Sequence, residues 1–450
     1  MQGQKNTITP PDGGWGWIIV FGSFMIHVIN DGITYSFGML YEDFLKYFNS
    51  HKSETAWILS ILYGMTYCSG PIAGILVNKY GCRAVTLGGT ILAAFSFFVS
   101  FWANSIIALC VTLGFGGGLG FGLVYLPAIV SVTVYFEKKR SLATGIAVCG
   151  SGIGTFIFPT IIYCFMELYS WQGVMIVLSG IVLQCIVFGT LFRPLKNEKC
   201  IKKNKIKNIA EYINEKNYVT KSLQPEEFEL RQINNNSEKI IIKKKLFDVT
   251  LFKDVTFILF VISNVLTSIG FNVPFIYIVP RALSLDIPLS HASLLLAIIG
   301  IANTLGRIIL GYISDKPWIN RLWVYNSCLT ICGFATALSV FATDFYSLLV
   351  YALIFGLTVG AYVGLTSVIL VDLLGVDKIT NAFGILLFFQ GIASFIGPPI
   401  GGMFYDILES FDPGFFMAGI AIALSGLMLF FLPFIKRKLS KNIENCNEEL

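Results

Sequence analysis

His27, Asn30, Asp31 and Thr34 are polar side chains that fall inside a mostly apolar stretch from Trp15 to Leu40. His27 and Asp31 are one helical turn apart. His27–Asn30 and Asp31–Thr34 are three residues apart, so a helix gathers these groups toward one side. A second constellation is Asn303-Thr304-Leu305-Gly306-Arg307, which sets an amide and a guanidinium four residues apart in another apolar stretch. A charge at membrane depth costs about 2.5–3.5 kcal/mol on insertion scales, so Asp31 and Arg307 each require a cavity or a counter-charge. A guanidinium presents a planar fork that binds a carboxylate through two parallel hydrogen bonds. The expectation is an Asp31–Arg307 pair, or a network shared with His27. An incoming carboxylate would compete with Asp31 for Arg307, and a zwitterion would satisfy both charges at once. The plainer alternative is an ion pair that only braces helices. His27 reads first as a satisfied interior histidine, although its pKa range also suits a pH-responsive coupling role.

No catalytic apparatus accompanies these groups. There is no GxSxG elbow, no HExxH helix and no glycine-rich loop followed by Lys-Ser/Thr, so neither an enzyme nor an ATP-driven machine is expected. Gly116-Gly117-Gly118-Leu119-Gly120 lies in an apolar stretch and reads as close helix packing. The three His form no ligand cluster and the ten Cys include no CxxC, so no metal and no cofactor is expected.

The elements that must position these residues follow from composition. Of 450 residues, 55% are hydrophobic and 13% charged. A soluble domain carries about 25% charged residues. So few charges cannot cover a water-facing surface of this size, which excludes a soluble enzyme, a nucleic-acid binder and a disordered chain. Spanning a bilayer takes about 20 apolar residues. Six such runs, about 15–41, 54–77, 83–103, 106–135, 141–167 and 171–192, precede a polar tract. Six more follow it, about 254–280, 291–314, 321–341, 345–374, 380–408 and 413–435. The expected fold is an all-α membrane protein of twelve transmembrane helices in two six-helix halves. Its divisions are an N-terminal tail 1–14, a first half 15–192, a linker 193–253, a second half 254–435 and a tail 436–450. Met1 to Pro11 lacks a signal-peptide pattern, so the first run should stay in the membrane.

Charge sets the orientation. The tract from Arg193 to Lys253 holds fifteen Lys or Arg and eight Asp or Glu, a net +7 that exceeds the +5 of the whole chain. Lys79, Arg83, Lys138, Lys139, Arg140, Lys316, Arg321 and Lys378 lie in short loops on the same side, joined by Lys436, Arg437, Lys438 and Lys441 of the tail. The opposite side holds only Lys46, Lys52 and Arg281. The positive excess places both termini and the linker in the cytoplasm, beside membrane lipid and away from nucleic acid. The sequon at Asn235-Asn236-Ser237 is then expected to go unused.

The halves repeat faintly. Gly74-Ile75-Leu76-Val77-Asn78-Lys79 leads to Arg83, and Gly311-Tyr312-Ile313-Ser314-Asp315-Lys316 leads to Arg321, 237 residues later. In each, a small residue permits close approach, and Asn78 or Asp315 caps or pairs beside a basic turn. This resembles the loop motif of the major facilitator superfamily, whose members rock two six-helix halves about a midplane site. Asp372, near the end of the tenth run, reads as a gate or interdomain contact. Two longer strings narrow the likeness: Pro10-Pro11-Asp12-Gly13-Gly14-Trp15-Gly16-Trp17, and the stretch from Tyr135 through Lys138-Lys139-Arg140 to Gly152. From Pro10 to about Ile435, the linker apart, the chain is similar to the monocarboxylate transporter family.

That resemblance implies a plasma-membrane carrier for small organic acids or zwitterionic metabolites, with protons as co-substrate in several lactate-type members. Some members need a single-span accessory glycoprotein. In the lactate-type pattern, the first helix carries a lysine and the eighth an aspartate and an arginine. Those positions fall here on Tyr35, Asn303 and Arg307, and Tyr67 matches a second-helix tyrosine near substrate. Only the arginine is kept. A tyrosine does not accept protons as a lysine does, and asparagine does not ionise, which argues against proton coupling by the lactate-type route. An organic anion exchanger and a non-transporting sensor with a carrier fold are the competing readings.

Overall fold

In the computed structural model, the described residues are 11–37, 40, 43–44, 47–49, 52–194, 251–252 and 254–433. Most of the expected linker, both outermost tails and the Asn235 sequon lie outside them. Eleven helices among the described residues are long and apolar enough to cross a membrane, and a bent pair makes a twelfth. In chain order they are α1 (Trp15–Ser36), α2 (Trp57–Cys68 and Gly70–Tyr80, meeting at 40°), α3 (Cys82–Ser100), α4 (Ile106–Tyr135), α5 (Arg140–Phe158) and α6 (Leu168–Thr190). Then come α7 (Val255–Ser284), α8 (Leu294–Ser314), α9 (Arg321–Phe341), α10 (Phe345–Leu374), α11 (Ile379–Tyr405) and α12 (Asp412–Leu429).

Local sequence sets the ends of these helices. Asp254, Asn320 and Asp344 accept hydrogen bonds from the backbone N–H groups of Thr256, Leu322 and Ser347 and so start α7, α9 and α10. The long helical run Arg140–Leu183, which holds α5 and most of α6, is broken at Ser170 in the first turn of α6, where φ is 56°. The prolines at 127 and 274 leave α4 and α7 continuous. The glycine-proline stretch at 397–399 does not break α11 either; Gly397 instead brings α11 against the Ile269 carbonyl of α7.

Helices α1–α6 close around an apolar cluster that runs from Ile19 through Phe97 and Phe121 to Phe192. Helices α7–α12 close around a second cluster, which also takes in Ala73, Val77, Tyr125 and Val148 from the first six helices. The outer surface is strongly apolar: Phe95 is 62% exposed, Phe156 64% and Phe431 65%. Water would not tolerate such a belt, whereas hydrocarbon does. The two sets of helices meet chiefly along α2 with α11 and α5 with α8. Both seams are built on glycine. A Cβ at Gly145 would stand 2.6 Å from the Arg307 carbonyl, and one at Gly311 2.9 Å from the Ser141 carbonyl. Gly70 faces the Gly384 carbonyl and Gly64 faces the Phe395 ring in the other seam.

Candidate substrate site

A cavity of about 60 Å³ lies between the two sets of helices. One water takes about 10–15 Å³ on this scale, so the space suits a few waters or a small molecule. α1 contributes Asp31 and Tyr35, α2 Tyr67, and α4 Tyr125. From the other side come Ser268, Phe271 and Asn272 of α7, Arg307 of α8, Tyr362, Thr366 and Ser367 of α10, and Gln390 and Ser394 of α11. The cavity thus has one carboxylate, one guanidinium and several aromatic rings among neutral polar and aliphatic side chains.

Arg307 is nearly buried. One of its terminal nitrogens donates across the α5–α8 seam to the Val148 carbonyl and to Ser151 Oγ. Its Nε has no partner among the described residues. Asp31 shares the cavity but makes no ion pair with it. The salt bridges among the described residues are Arg140–Asp372, Arg281–Asp412, Arg321–Asp315 and Arg321–Asp372. The direct pair expected from the sequence is therefore not formed. The guanidinium is held by neutral oxygens of α5 instead, which leaves both charges turned to the cavity.

Rings from both helix sets line or flank the cavity. Tyr35 stacks on Phe275 with centroids 5.9 Å apart, which bridges α1 and α7. Tyr67 meets Tyr125 edge-on at 5.6 Å, and Phe271 lies 5.9 Å from Tyr362. Behind the α10–α11 side runs a polar chain. Gln390 donates to Tyr362 Oη at 2.9 Å and to Asn264 Oδ1 at 3.0 Å, and the Tyr325 hydroxyl lies 3.4 Å from Asn264 Oδ1 and from Thr366 Oγ1. Gln390, Tyr362, Ser268 and Thr366 were not singled out from sequence. The signal available was a lone amide in an apolar run at Gln390.

Three of the expected site residues stand off the cavity. Asn30 points at α4, with Nδ2 3.5 Å from the Phe121 carbonyl. Asn303 packs into the α8–α10 seam, where Gly356 and Gly360 lie against its backbone. Asn303 is buried there with its side-chain oxygen unpartnered among the described residues, whereas Arg307, four residues on and turned about 40° around the axis, lines the cavity. His27 is fully buried, and its Nδ1 lies 2.7 Å from the Ser23 carbonyl. Its ring stands edge-on to Tyr125 at 5.3 Å, so it lies behind the cavity wall.

Asn78, Asp315 and Asp372 gather at the end of the bundle where α2 and α8 finish and α5 and α11 begin. Asn78 donates to Asn381 Oδ1 at the start of α11. Asp315 accepts from the Ser141 and Leu142 amides at the start of α5, at 3.2 and 2.8 Å. Arg321 grips Asp315 at 2.8 Å and both oxygens of Asp372 at 3.1–3.2 Å. Each six-helix set thus fastens the first turn of a helix in the other, and this end of the cavity is shut.

The Major Facilitator Superfamily profile matches residues 19–324 and 257–445. Monocarboxylate transporter 12-B of Danio rerio is 32% identical over 438 residues, covering 96% of this chain and 90% of its own. The chain belongs to the monocarboxylate transporter family of the major facilitator superfamily. Monocarboxylate transporter 9 of Gallus gallus is 30% identical, covering 93% of each chain. In fold, the family member resembles the proton:xylose symporter XylE, with a TM-score of 0.69 at 16% identity over 92% of this chain and 95% of that one. The fucose:proton symporter FucP of E. coli gives 0.64 at 14% identity, covering 93% and 98%. The protein is a multi-pass membrane protein and a secondary transporter.

Proposed function

We propose that this transporter moves small carboxylate-bearing metabolites across the plasma membrane by alternating access, with both termini in the cytoplasm. The observation that carries this reading is the placement of Arg307, which lines a cavity between the two helix sets while it is tied to α5 of the opposite set. A bound carboxylate takes the free donors of the guanidinium. Opening either end must then break or remake contacts that both sets share, which couples binding to movement. Asp31 and the rings of Tyr35, Tyr67 and Tyr125 supply an acidic, aromatic seat opposite. Such a seat favours the cationic end of a zwitterion. Tyr35 in place of the lysine and Asn303 off the cavity favour flux down the substrate's own gradient over obligatory proton symport.

Uptake and counterflow in cells, against lactate, pyruvate, amino acids, carnitine and creatine with and without a proton gradient, test the reading. Trans-accelerated flux of a carboxylate-bearing compound supports it. Binding without flux would favour a sensor, strict one-for-one exchange an organic anion exchanger, and proton-driven lactate flux would remove the argument from Tyr35. Co-expression of a single-span accessory glycoprotein belongs in the same assay.

A further inference from the structure

The Pro10–Trp17 string is the most distinctive motif in the sequence, and the cavity makes no use of it. Its described residues form a brace on the loop between α4 and α5. Asp12 takes a left-handed backbone, φ 47°, which aspartate tolerates better than most residues. That turn aims its carboxylate at the loop, where Oδ1 accepts from the Glu137 amide at 2.8 Å and the Lys138 amide at 2.9 Å. Its own N–H donates to the Tyr135 carbonyl at 3.3 Å. Gly14, with φ 57°, completes the turn into α1. Gly16 lets α1 lie against Phe136, since a Cβ there would stand 2.9 Å from the ring, and Trp17 meets the same ring edge-on at 5.1 Å. Trp15 donates from Nε1 to the Leu191 carbonyl at 3.1 Å.

The same loop carries the closed gate a few residues later, where Ser141 and Leu142 give their amides to Asp315. Residues 137–142 are therefore held by two carboxylates. Asp12 belongs to the first helix set and stays with the loop, whereas Asp315 belongs to the second and must leave it when this end opens. Between them, Arg140 folds back, with Nε donating to the Phe136 carbonyl at 2.8 Å and the Thr133 carbonyl at 3.2 Å. This orients the first turn of α5 toward α8.

We propose that Asp12 is a positioning residue for the gate: by holding the Glu137 and Lys138 amides, it keeps the first turn of α5 where Asp315 can cap it. Loss of Asp12 then favours the state open at this end. The inference rests on the alternating-access reading above, and Cys149 reports on both. Its thiol lies in the α5–α8 seam, with Sγ 3.3 Å from the Thr304 carbonyl, and it is buried while the seam is closed. In full-length transporter that keeps Cys149 as its sole cysteine, N-ethylmaleimide labelling measures how often the seam opens.

In the parent, substrate supplied on one side of the membrane should change the labelling rate; if it does not, the alternating-access reading fails. In a responsive parent, Asp12→Ala should raise the rate about 3- to 10-fold, with a smaller rise for Asp12→Asn, which keeps an acceptor oxygen. Asp12→Asn also serves if the alanine variant does not reach the membrane. In an Asp315→Ala background, Asp12→Ala should add little, because both act on one loop. An unchanged rate in a folded Asp12 variant, whatever its melting temperature, overturns the role of Asp12. So does the same fold-rise with Asp315 already removed.

Discussion

Replacing Arg307 by lysine keeps the positive charge and removes the planar fork. In the structure, the guanidinium reaches the Val148 carbonyl and Ser151 Oγ on α5 and still faces the cavity with donors to spare. A lysine ammonium has three donors at one point and no flat face, so it cannot hold α5 and also bind a carboxylate through two parallel bonds. The substrate then loses one charge-assisted hydrogen bond, about 1.5–3 kcal/mol. At about 1.36 kcal/mol per factor of ten, uptake at low substrate concentration should fall roughly 10- to 150-fold. Initial rates of labelled substrate uptake at matched surface abundance, over a range of concentrations, give the answer. Because binding is the step affected, the loss should appear mainly in KM. Uptake within twofold of the parent, or a fall confined to the maximal rate with KM unchanged, would refute the assignment of Arg307 to the carboxylate.

Three further outcomes follow from the same geometry. Asp31→Asn should weaken uptake of zwitterions by about tenfold or more while leaving simple anions unchanged or improved, as competition between the two substrate types would register. Gly145→Ala sets a Cβ 2.6 Å from the Arg307 carbonyl; overpacking of about 1–3 kcal/mol should hold the α5–α8 seam apart and raise labelling at Cys149 at least fivefold. Asp412→Ala removes the carboxylate 2.9 Å from the buried Arg281, which keeps Ser339 and the face of Phe415 among the described residues. The expected cost is about 1–3 kcal/mol, read as a lower melting temperature with substrate KM unchanged.

The helices were legible because lipid imposes length and apolarity directly on the sequence, and all twelve runs correspond to spanning helices or to the bent pair. Asp31 and Arg307 were legible for the same reason, since a charge within such a run must face something polar. Pairing and facing were not. Whether Asn303 meets the cavity depends on how far α8 is turned against Gly356 and Gly360 of α10, and a spacing of four residues leaves that rotation open. The Asp31–Arg307 pair failed because the Val148 carbonyl and Ser151, unremarkable in sequence, reach the guanidinium first. The roles of Gln390 and Tyr362 are not legible in sequence because they arise only when α10 and α11 lie side by side. The Pro10–Trp17 string announced its importance without its purpose, since a left-handed aspartate shows itself only when the amides that it serves are in place.

The glycines that line both seams carry a consequence for the energetics of the cycle. Where bare backbones touch, adhesion comes mostly from dispersion, and the directional bonds that must be lost before the surfaces part gather at Arg307 and at the Asn78–Asp315 end. Such joints re-form without searching among rotamers. Closed and open forms can then lie within a few kcal/mol of each other, which is about what one small solute supplies when it docks. A stickier, more polar joint would trap the protein in one posture; this one leaves the cargo able to decide which way it faces.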